Sequence, residues 1–163
     1  MNTSLKIAII GTGAMGSIYA ARLSNAGHSV CAMDVWADHV DAMNAGGLTI
    51  DGPEGRLQAT NIRATRELPS DEPFDLYVIA TKSFAVRKSA EAISKTLTPR
   101  AMVLTIQNGL GAGDDVAAFV PKSQIILGVA EGFGASMMGP AHCLLYTSPS
   151  PRDLSTSRMP SSA

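Results

Sequence analysis

The sequence lacks an excess of charge of either sign: 13 lysines and arginines stand against 14 aspartates and glutamates, for a formal net charge of −1. Proteins that bind nucleic acid or an anionic membrane surface usually present a basic patch, so neither partner is predicted. The 163 residues include only two cysteines, too few for a disulfide framework. The three histidines lack the spacing of metal ligands, and no metal site is predicted.

Long apolar runs are lacking as well. None approaches the roughly 20 residues needed to cross a bilayer, and the N-terminus passes into a predicted strand without the apolar core of a signal peptide. A hydrophobic content of 45% and a charged content of 17% are typical of a globular protein. We therefore expect a cytoplasmic protein with about one domain.

What the chain does contain is a glycine-rich turn between an apolar run that begins at Leu5 and a helical pattern that ends near Gly27. This arrangement predicts the strand, turn and helix of a dinucleotide-binding βαβ unit. Gly11 allows the tight turn, Gly13 lets the backbone approach a pyrophosphate, and Gly16 lets the helix pack on the strand. The alternative is an ordinary strand-to-helix turn. The predicted cofactor-binding loop comprises Gly11, Thr12, Gly13, Ala14, Met15 and Gly16.

Apolar runs alternate with helical patterns through the rest of the chain, which predicts an α/β fold: a doubly wound parallel sheet of the Rossmann type over residues 1–142. Strands are expected at 29–33, 75–80, 101–106 and 124–128, with a further one near 131–138. Two β-like runs at 48–50 and 56–60 flank a dense cluster of turn residues. They predict a hairpin inserted on the edge of the sheet.

Three polar residues follow predicted strands, where ligands of open α/β sheets bind. Asp34 is spaced to bind the ribose 2′-OH of an adenosine and would repel a 2′-phosphate, so it favours NADH; alternatively it caps the next helix. Lys82 could reach the cofactor or an anionic substrate, or be a solvated surface lysine. Asn108 could bind a substrate carboxylate and a ribose hydroxyl, or simply belong to an Asn-Gly turn.

The composition changes at Cys143, after which proline, serine and threonine dominate. Such a segment buries too little surface to offset its ordering entropy, so a disordered tail is predicted over 143–163. The string also closely resembles the translation of a transposase-type sequencing adapter, with residues 154–156 as the variable index. We therefore expect the genuine coding sequence to stop near His142. Re-reading the source DNA tests this, because an uninterrupted natural gene encoding the string would contradict it.

Four motifs in order resemble the N-terminal domain of the ketopantoate reductase (2-dehydropantoate 2-reductase) family. They are Gly11-Thr-Gly-Ala-Met-Gly16, Ala26-Gly-His-Ser-Val30, Ala80-Thr-Lys-Ser83 and Gln107-Asn-Gly-Leu-Gly111. The resemblance implies reduction of a small-molecule 2-oxo acid by NAD(P)H, as in pantothenate biosynthesis. It implies that Lys82 is the cofactor-side lysine and that Asn108 positions substrate and nicotinamide ribose.

The sequence departs from the family at two points. The arginine that usually binds the 2′-phosphate of NADPH falls near Val35 and is absent. The general-acid lysine belongs to a helical C-terminal domain that this chain does not include, so the chain is expected to bind cofactor without turnover. The sequence does not set the oligomeric state, and a homodimeric whole protein stays open. Other hydroxyacid or sugar-nucleotide dehydrogenases, and a non-catalytic dinucleotide sensor, are the alternatives.

Overall fold

The computed structural model describes residues 4–107 and 111–147, which form ten strands and four α-helices. The strands are β1 (Lys6–Ile10), β2 (Ser29–Met33), β3 (Leu48–Gly52), β4 (Gly55–Ala59), β5 (Ile62–Thr65), β6 (Leu76–Ile79), β7 (Met102–Thr105), β8 (Ile125–Leu127), β9 (Phe133–Gly139) and β10 (His142–Thr147). The helices are α1 (Ala14–Asn25), α2 (Ala37–Gly46), α3 (Val86–Ser94) and α4 (Ala112–Ala117).

Six strands form the main sheet in the order β5-β2-β1-β6-β7-β8, and every neighbouring pair is parallel. The chain moves outward from β1 through β2 to β5, then returns and moves outward the other way from β6. The strand order therefore reverses between β1 and β6, where open α/β sheets bind their ligands. The predicted doubly wound α/β fold is confirmed.

Strand β1 explains why helices cover both faces of the main sheet. Its side chains alternate between the faces: Ile7 and Ile9 pack in a core that includes Ile18 of α1. Ala8 and Ile10 pack in a second core with Ile93 of α3. A strand segment buried on both sides must be apolar, and the four buried residues of β1 are apolar, while Lys6 at its start is exposed.

The predicted hairpin exists but lies elsewhere than expected. Strands β3 and β4 pair in antiparallel register, yet they belong to a second sheet of order β4-β3-β10-β9 and not to the edge of the main sheet. The edge position is taken by β5, a four-residue strand that the sequence analysis did not identify. The expected strand near 131–138 is β9, also in the second sheet.

The structure also corrects the prediction for residues 143–147. Their composition predicts a disordered tail, whereas the structure includes them in β10, where Cys143 is fully buried. Strand β10 pairs with β9 on one side and with β3 on the other, so its backbone groups find partners despite the change in composition. The remaining part of the predicted tail, 148–163, lies outside the described residues, and its adapter origin stays a prediction.

No helix among the described residues is long and apolar enough to cross a membrane. The same part of the chain holds no cluster of three or more histidine, cysteine or carboxylate side chains that could ligate a metal.

Candidate functional site

The glycine loop lies where β1 ends, at the reversal point of the sheet. Gly11 has a φ of +85°, and a Cβ there would lie 2.8 Å from Cγ2 of Thr81. A Cβ on Gly16 would lie 2.0 Å from the carbonyl oxygen of Gly11. Positive φ and lack of space both require glycine at position 11, and close packing of the helix on the loop requires it at position 16.

The first turn of α1 leaves its backbone donors unused. Gly13 is the N-cap residue and makes no side-chain cap. No described hydrogen bond uses the N–H groups of Gly13, Ala14 or Met15, as expected for the start of a helix. Gly13 is exposed, and a Cβ on it would meet nothing within 4 Å. The first turn also contains no acidic residue, so its positive end is free to attract an anion.

Thr12 faces the interior of the loop. Its side chain is fully buried, and its Oγ1 has no hydrogen-bond partner among the described residues. Its N–H donates to the carbonyl of Met33 at 3.2 Å, beside the 2.9 Å bond from the N–H of Gly11 to the same oxygen. These two bonds attach the loop to the end of β2.

Asp34 follows β2 directly and is half-exposed. Its Oδ1 accepts a hydrogen bond from the N–H of Trp36 at 3.0 Å, which forms an Asx turn. Helix α2 therefore begins at Ala37, with Trp36 as its N-cap residue. Asp34 does not cap α2. Its Oδ2 has no partner among the described residues and remains available as an acceptor.

Lys82 follows β6 on the same edge of the sheet. The preceding residue, Thr81, lies against Gly11, so the lysine backbone is one residue from the glycine loop. Its side chain is exposed. The glycine loop, Asp34 and Lys82 are thus brought to one edge, as parallel strands require. Asn108, the fourth predicted element of the site, lies outside the described residues.

The residues that hold this edge together were not predicted as part of the site. The amide nitrogen of Gln107, at the end of β7, donates to the carbonyls of Ile79 and Thr81 at 2.9 and 3.0 Å. It thereby fixes the end of β6, from which Lys82 extends. Gln107 belongs to a motif that the sequence analysis identified, but nothing in its spacing indicates partners 26 and 28 residues away.

Two more residues that support the loop come from helices. The hydroxyl of Ser17 donates to the Thr12 carbonyl at 2.7 Å, and Nε2 of His39 lies 2.7 Å from the same oxygen. Both side chains are fully buried. The available sequence signal is position: Ser17 directly follows the glycine loop, and His39 precedes the apolar Val40.

The strongest carboxylate perturbation lies outside this edge. In the second sheet, two hydrogen bonds from Arg56 and one contact with His142 hold the pKa of Asp51 well below its usual range. A groove of about 940 Å³ runs along the second half of α1, between Tyr19 and Arg22 on the helix and Leu57 on the hairpin. Neither feature adjoins the glycine loop, and the candidate site is the open edge of the main sheet.

Comparison with known proteins shows which proteins this chain is similar to. Residues 7–150 match the family model described as "Ketopantoate reductase PanE/ApbA". The chain is 30% identical to the 2-dehydropantoate 2-reductase of Lactococcus lactis over 143 residues, which cover 87% of this chain and 46% of that protein. It is 36% identical to the Pyrococcus abyssi enzyme of the same name over 122 residues, which cover 73% and 38%. The chain spans less than half the length of these relatives.

Solved structures of similar proteins likewise match most of this chain and less than half of their own length. A ternary structure of D-mandelate dehydrogenase with NADH and anilino(oxo)acetate superposes with a TM-score of 0.78 at 31% identity, covering 88% of this chain and 46% of that one. The 2-dehydropantoate 2-reductase of Geobacter metallireducens superposes with a TM-score of 0.79 at 29% identity, covering 88% and 47%.

Proposed function

The chain belongs to the ketopantoate reductase family, and on that premise we propose that the whole protein is an oxidoreductase that reduces a 2-oxo acid with a nicotinamide dinucleotide. Ketopantoate is the leading substrate. The observation that carries the proposal is the glycine loop at the reversal point of the sheet, with the unused N–H groups of Gly13 and Ala14 on its exposed side.

The residues at this edge fit the cofactor. A pyrophosphate needs several donors and close backbone approach, and the first turn of α1 offers both without an opposing acid. The buried, unpartnered Oγ1 of Thr12 is a further polar atom at the loop. Gly11 and Gly16 keep the turn compact, while Ala14 and Met15 supply the following N–H groups. When bound, the reduced nicotinamide supplies the hydride that the reaction consumes.

We assign the remaining roles by position along the same edge. Asp34 accepts from the hydroxyls of the adenosine ribose through its free carboxylate oxygen. Lys82, one residue beyond the contact of Thr81 with Gly11, provides a positive charge for the ribose, the phosphates or the substrate carboxylate. The role of Asn108, toward substrate and nicotinamide ribose, rests on the family resemblance alone.

The preferred cofactor follows from the charge at Asp34. A 2′-phosphate there would face a carboxylate, and the neighbouring Val35 is 82% exposed and offers no cation. Like charges in contact are costly. We therefore propose that the chain binds NADH in preference to NADPH, against the family habit.

Binding and turnover separate in this chain. Reduction of a ketone requires a proton at the developing alkoxide, and a positioned acid contributes about 10²–10⁴-fold. The resemblance assigns that acid to a C-terminal domain that these 163 residues do not include. The proposal is that the chain holds the dinucleotide without reducing the substrate.

Isothermal titration calorimetry with NADH and NADPH tests the first half of the proposal, and NADH oxidation with ketopantoate tests the second. We expect binding by the 163-residue chain, no turnover by it, and turnover by the whole protein. Lack of binding of either dinucleotide would contradict the assigned site. Binding combined with an inactive whole protein would leave a dinucleotide sensor as the better description.

A second candidate is a dehydrogenase of the D-mandelate type. Asp34 favours this candidate, because a carboxylate at that position suits NADH and the similar D-mandelate dehydrogenase was solved with NADH. A panel of 2-oxo acids with branched aliphatic and aromatic side chains, assayed with the whole protein, distinguishes the two: preference for phenylglyoxylate over ketopantoate would replace the leading substrate.

A further inference from the structure

His39 is a fully buried side chain that joins three parts of the fold. It lies on α2, its Nε2 is 2.7 Å from the carbonyl oxygen of Thr12, and its Nδ1 is 2.8 Å from the backbone nitrogen of Ala141. Its ring stacks on Trp36, with centroids 5.4 Å apart and planes 16° apart. The imidazole therefore connects the glycine loop to the second sheet and to the turn formed by Asp34.

The two hydrogen bonds define which ring nitrogen carries the proton. The N–H of Ala141 can only donate, so Nδ1 of His39 must be the unprotonated nitrogen. The carbonyl of Thr12 can only accept, so Nε2 must carry the hydrogen. Both bonds are made together only by the neutral Nε2–H tautomer.

The Thr12 carbonyl is held from two sides, because the Ser17 hydroxyl also donates to it at 2.7 Å. In a planar trans peptide the N–H points away from the C=O, and the described residues contain no cis peptide bond. Fixing the Thr12 carbonyl toward the interior therefore fixes the N–H of Gly13 in the opposite direction, toward the exposed side of the loop.

We propose that His39 is a positioning residue for dinucleotide binding, which holds the peptide between Thr12 and Gly13 so that its N–H is aimed at the pyrophosphate before the ligand arrives. The inference rests on the proposed function, because it assumes that the loop binds a dinucleotide. A preorganised donor avoids the cost of ordering the loop on binding. The effect expected from one lost hydrogen bond is about three- to tenfold in the dissociation constant.

The decisive comparison is between two amide variants of the 163-residue chain. In His39→Gln the terminal amide reaches the position of Nε2 and can still donate to Thr12. In His39→Asn the amide reaches only the position of Nδ1, near Ala141. Both lose the ring stack and one hydrogen bond, so both should lower Tm similarly. We expect His39→Gln to bind NADH nearly as tightly as the wild type, and His39→Asn to bind about three- to tenfold more weakly.

A serine pair provides an independent variant and its control, should the histidine variants fail to fold. Ser17→Ala removes the other donor to the Thr12 carbonyl. Ser24→Ala removes a comparable, partly buried bond on the same helix, from the Ser24 hydroxyl to the carbonyl of Asn61 at 2.8 Å, far along α1 from the loop. We expect both to lower Tm, and only Ser17→Ala to weaken NADH binding.

Calorimetric titration and thermal unfolding of all four variants separate the outcomes. Equal NADH affinities in His39→Gln and His39→Asn, or in Ser17→Ala and Ser24→Ala, would mean that these residues support only stability, and the inference would be overturned while the binding site stands. Failure of the wild-type chain to bind NADH and NADPH would overturn the proposed function, and this inference with it.

Discussion

Substituting alanine at two glycines of the loop should separate folding from binding. At Gly16 a Cβ would lie 2.0 Å from the carbonyl oxygen of Gly11, whereas such contacts are essentially never shorter than 3.0 Å. The oxygen, which is backbone and cannot rotate away, would have to retreat by about 1 Å. Overpacking of this kind typically costs 1–3 kcal/mol, and a backbone clash belongs to the upper part of that range.

At Gly13 the same substitution meets open space, with nothing within 4 Å of the added Cβ. The φ of this residue is −59°, so alanine needs no left-handed conformation. The free energy of unfolding should change by less than about 1 kcal/mol. The methyl group would nevertheless occupy the exposed side of the loop, between the free N–H groups and the phosphates that they are proposed to bind.

The two substitutions should therefore affect different properties, stability in Gly16→Ala and NADH binding in Gly13→Ala. Gly16→Ala should lower Tm by about 4–12 °C, from about 2–3 kcal/mol in a chain of this size. Gly13→Ala should leave Tm nearly unchanged and weaken NADH binding at least about tenfold, equivalent to about 1.4 kcal/mol. Thermal unfolding and calorimetric titration measure the two quantities. Wild-type NADH affinity in Gly13→Ala would refute the placement of the pyrophosphate, and an unchanged Tm in Gly16→Ala would refute the packing of the loop.

Two further substitutions probe the edge of the sheet. Asp34→Ala should raise the affinity for NADPH relative to NADH by about tenfold, because it removes a like charge beside the 2′-phosphate. The control Asp38→Ala removes an exposed carboxylate of α2 and should not change the ratio of the two dissociation constants. Gln107→Glu turns a double donor into a carboxylate facing two carbonyls, so we expect a loss of about 2–4 kcal/mol in urea unfolding together with weaker NADH binding. The matched control is Gln124→Glu, because the amide of Gln124 donates in the same way to the carbonyls of Thr98 and Ala101 at 2.8 and 2.7 Å. This variant should lose similar stability, and the molecules that remain folded should bind NADH as the wild type does.

The parts of the fold that the sequence predicts are those encoded locally. The apolar run of β1, the glycine spacing and the helical pattern of α1 are contiguous, so the loop and the parallel sheet could be inferred from residues that are neighbours in sequence. Strand β5 was missed because its four residues are too short for a clear period of two. An edge strand with an exposed Arg63 resembles a polar connection.

The second sheet could not be predicted, because its pairing is non-local. Thr49 of β3 pairs with His142 of β10, and the residues between them include most of the main sheet. A local pattern indicated the β3–β4 hairpin but carried no information about which sheet it joins. The same holds for β10. The proline- and serine-rich sequence after this strand suggested that a tail begins at Cys143, whereas residues 142–147 pair with β3 and β9.

The long separation in sequence between His39 and its partners also explains why it was not identified as part of the site. Its partners lie 27 and 102 residues away, and its role exists only once both sheets are formed. The second sheet is then more than an addition to a dinucleotide-binding domain. Through the N–H of Ala141 it orients the imidazole, the imidazole orients the Thr12 carbonyl, and that carbonyl sets the direction of the Gly13 N–H. A loop that reads as a self-contained glycine motif therefore depends for its geometry on a residue at the other end of the described chain.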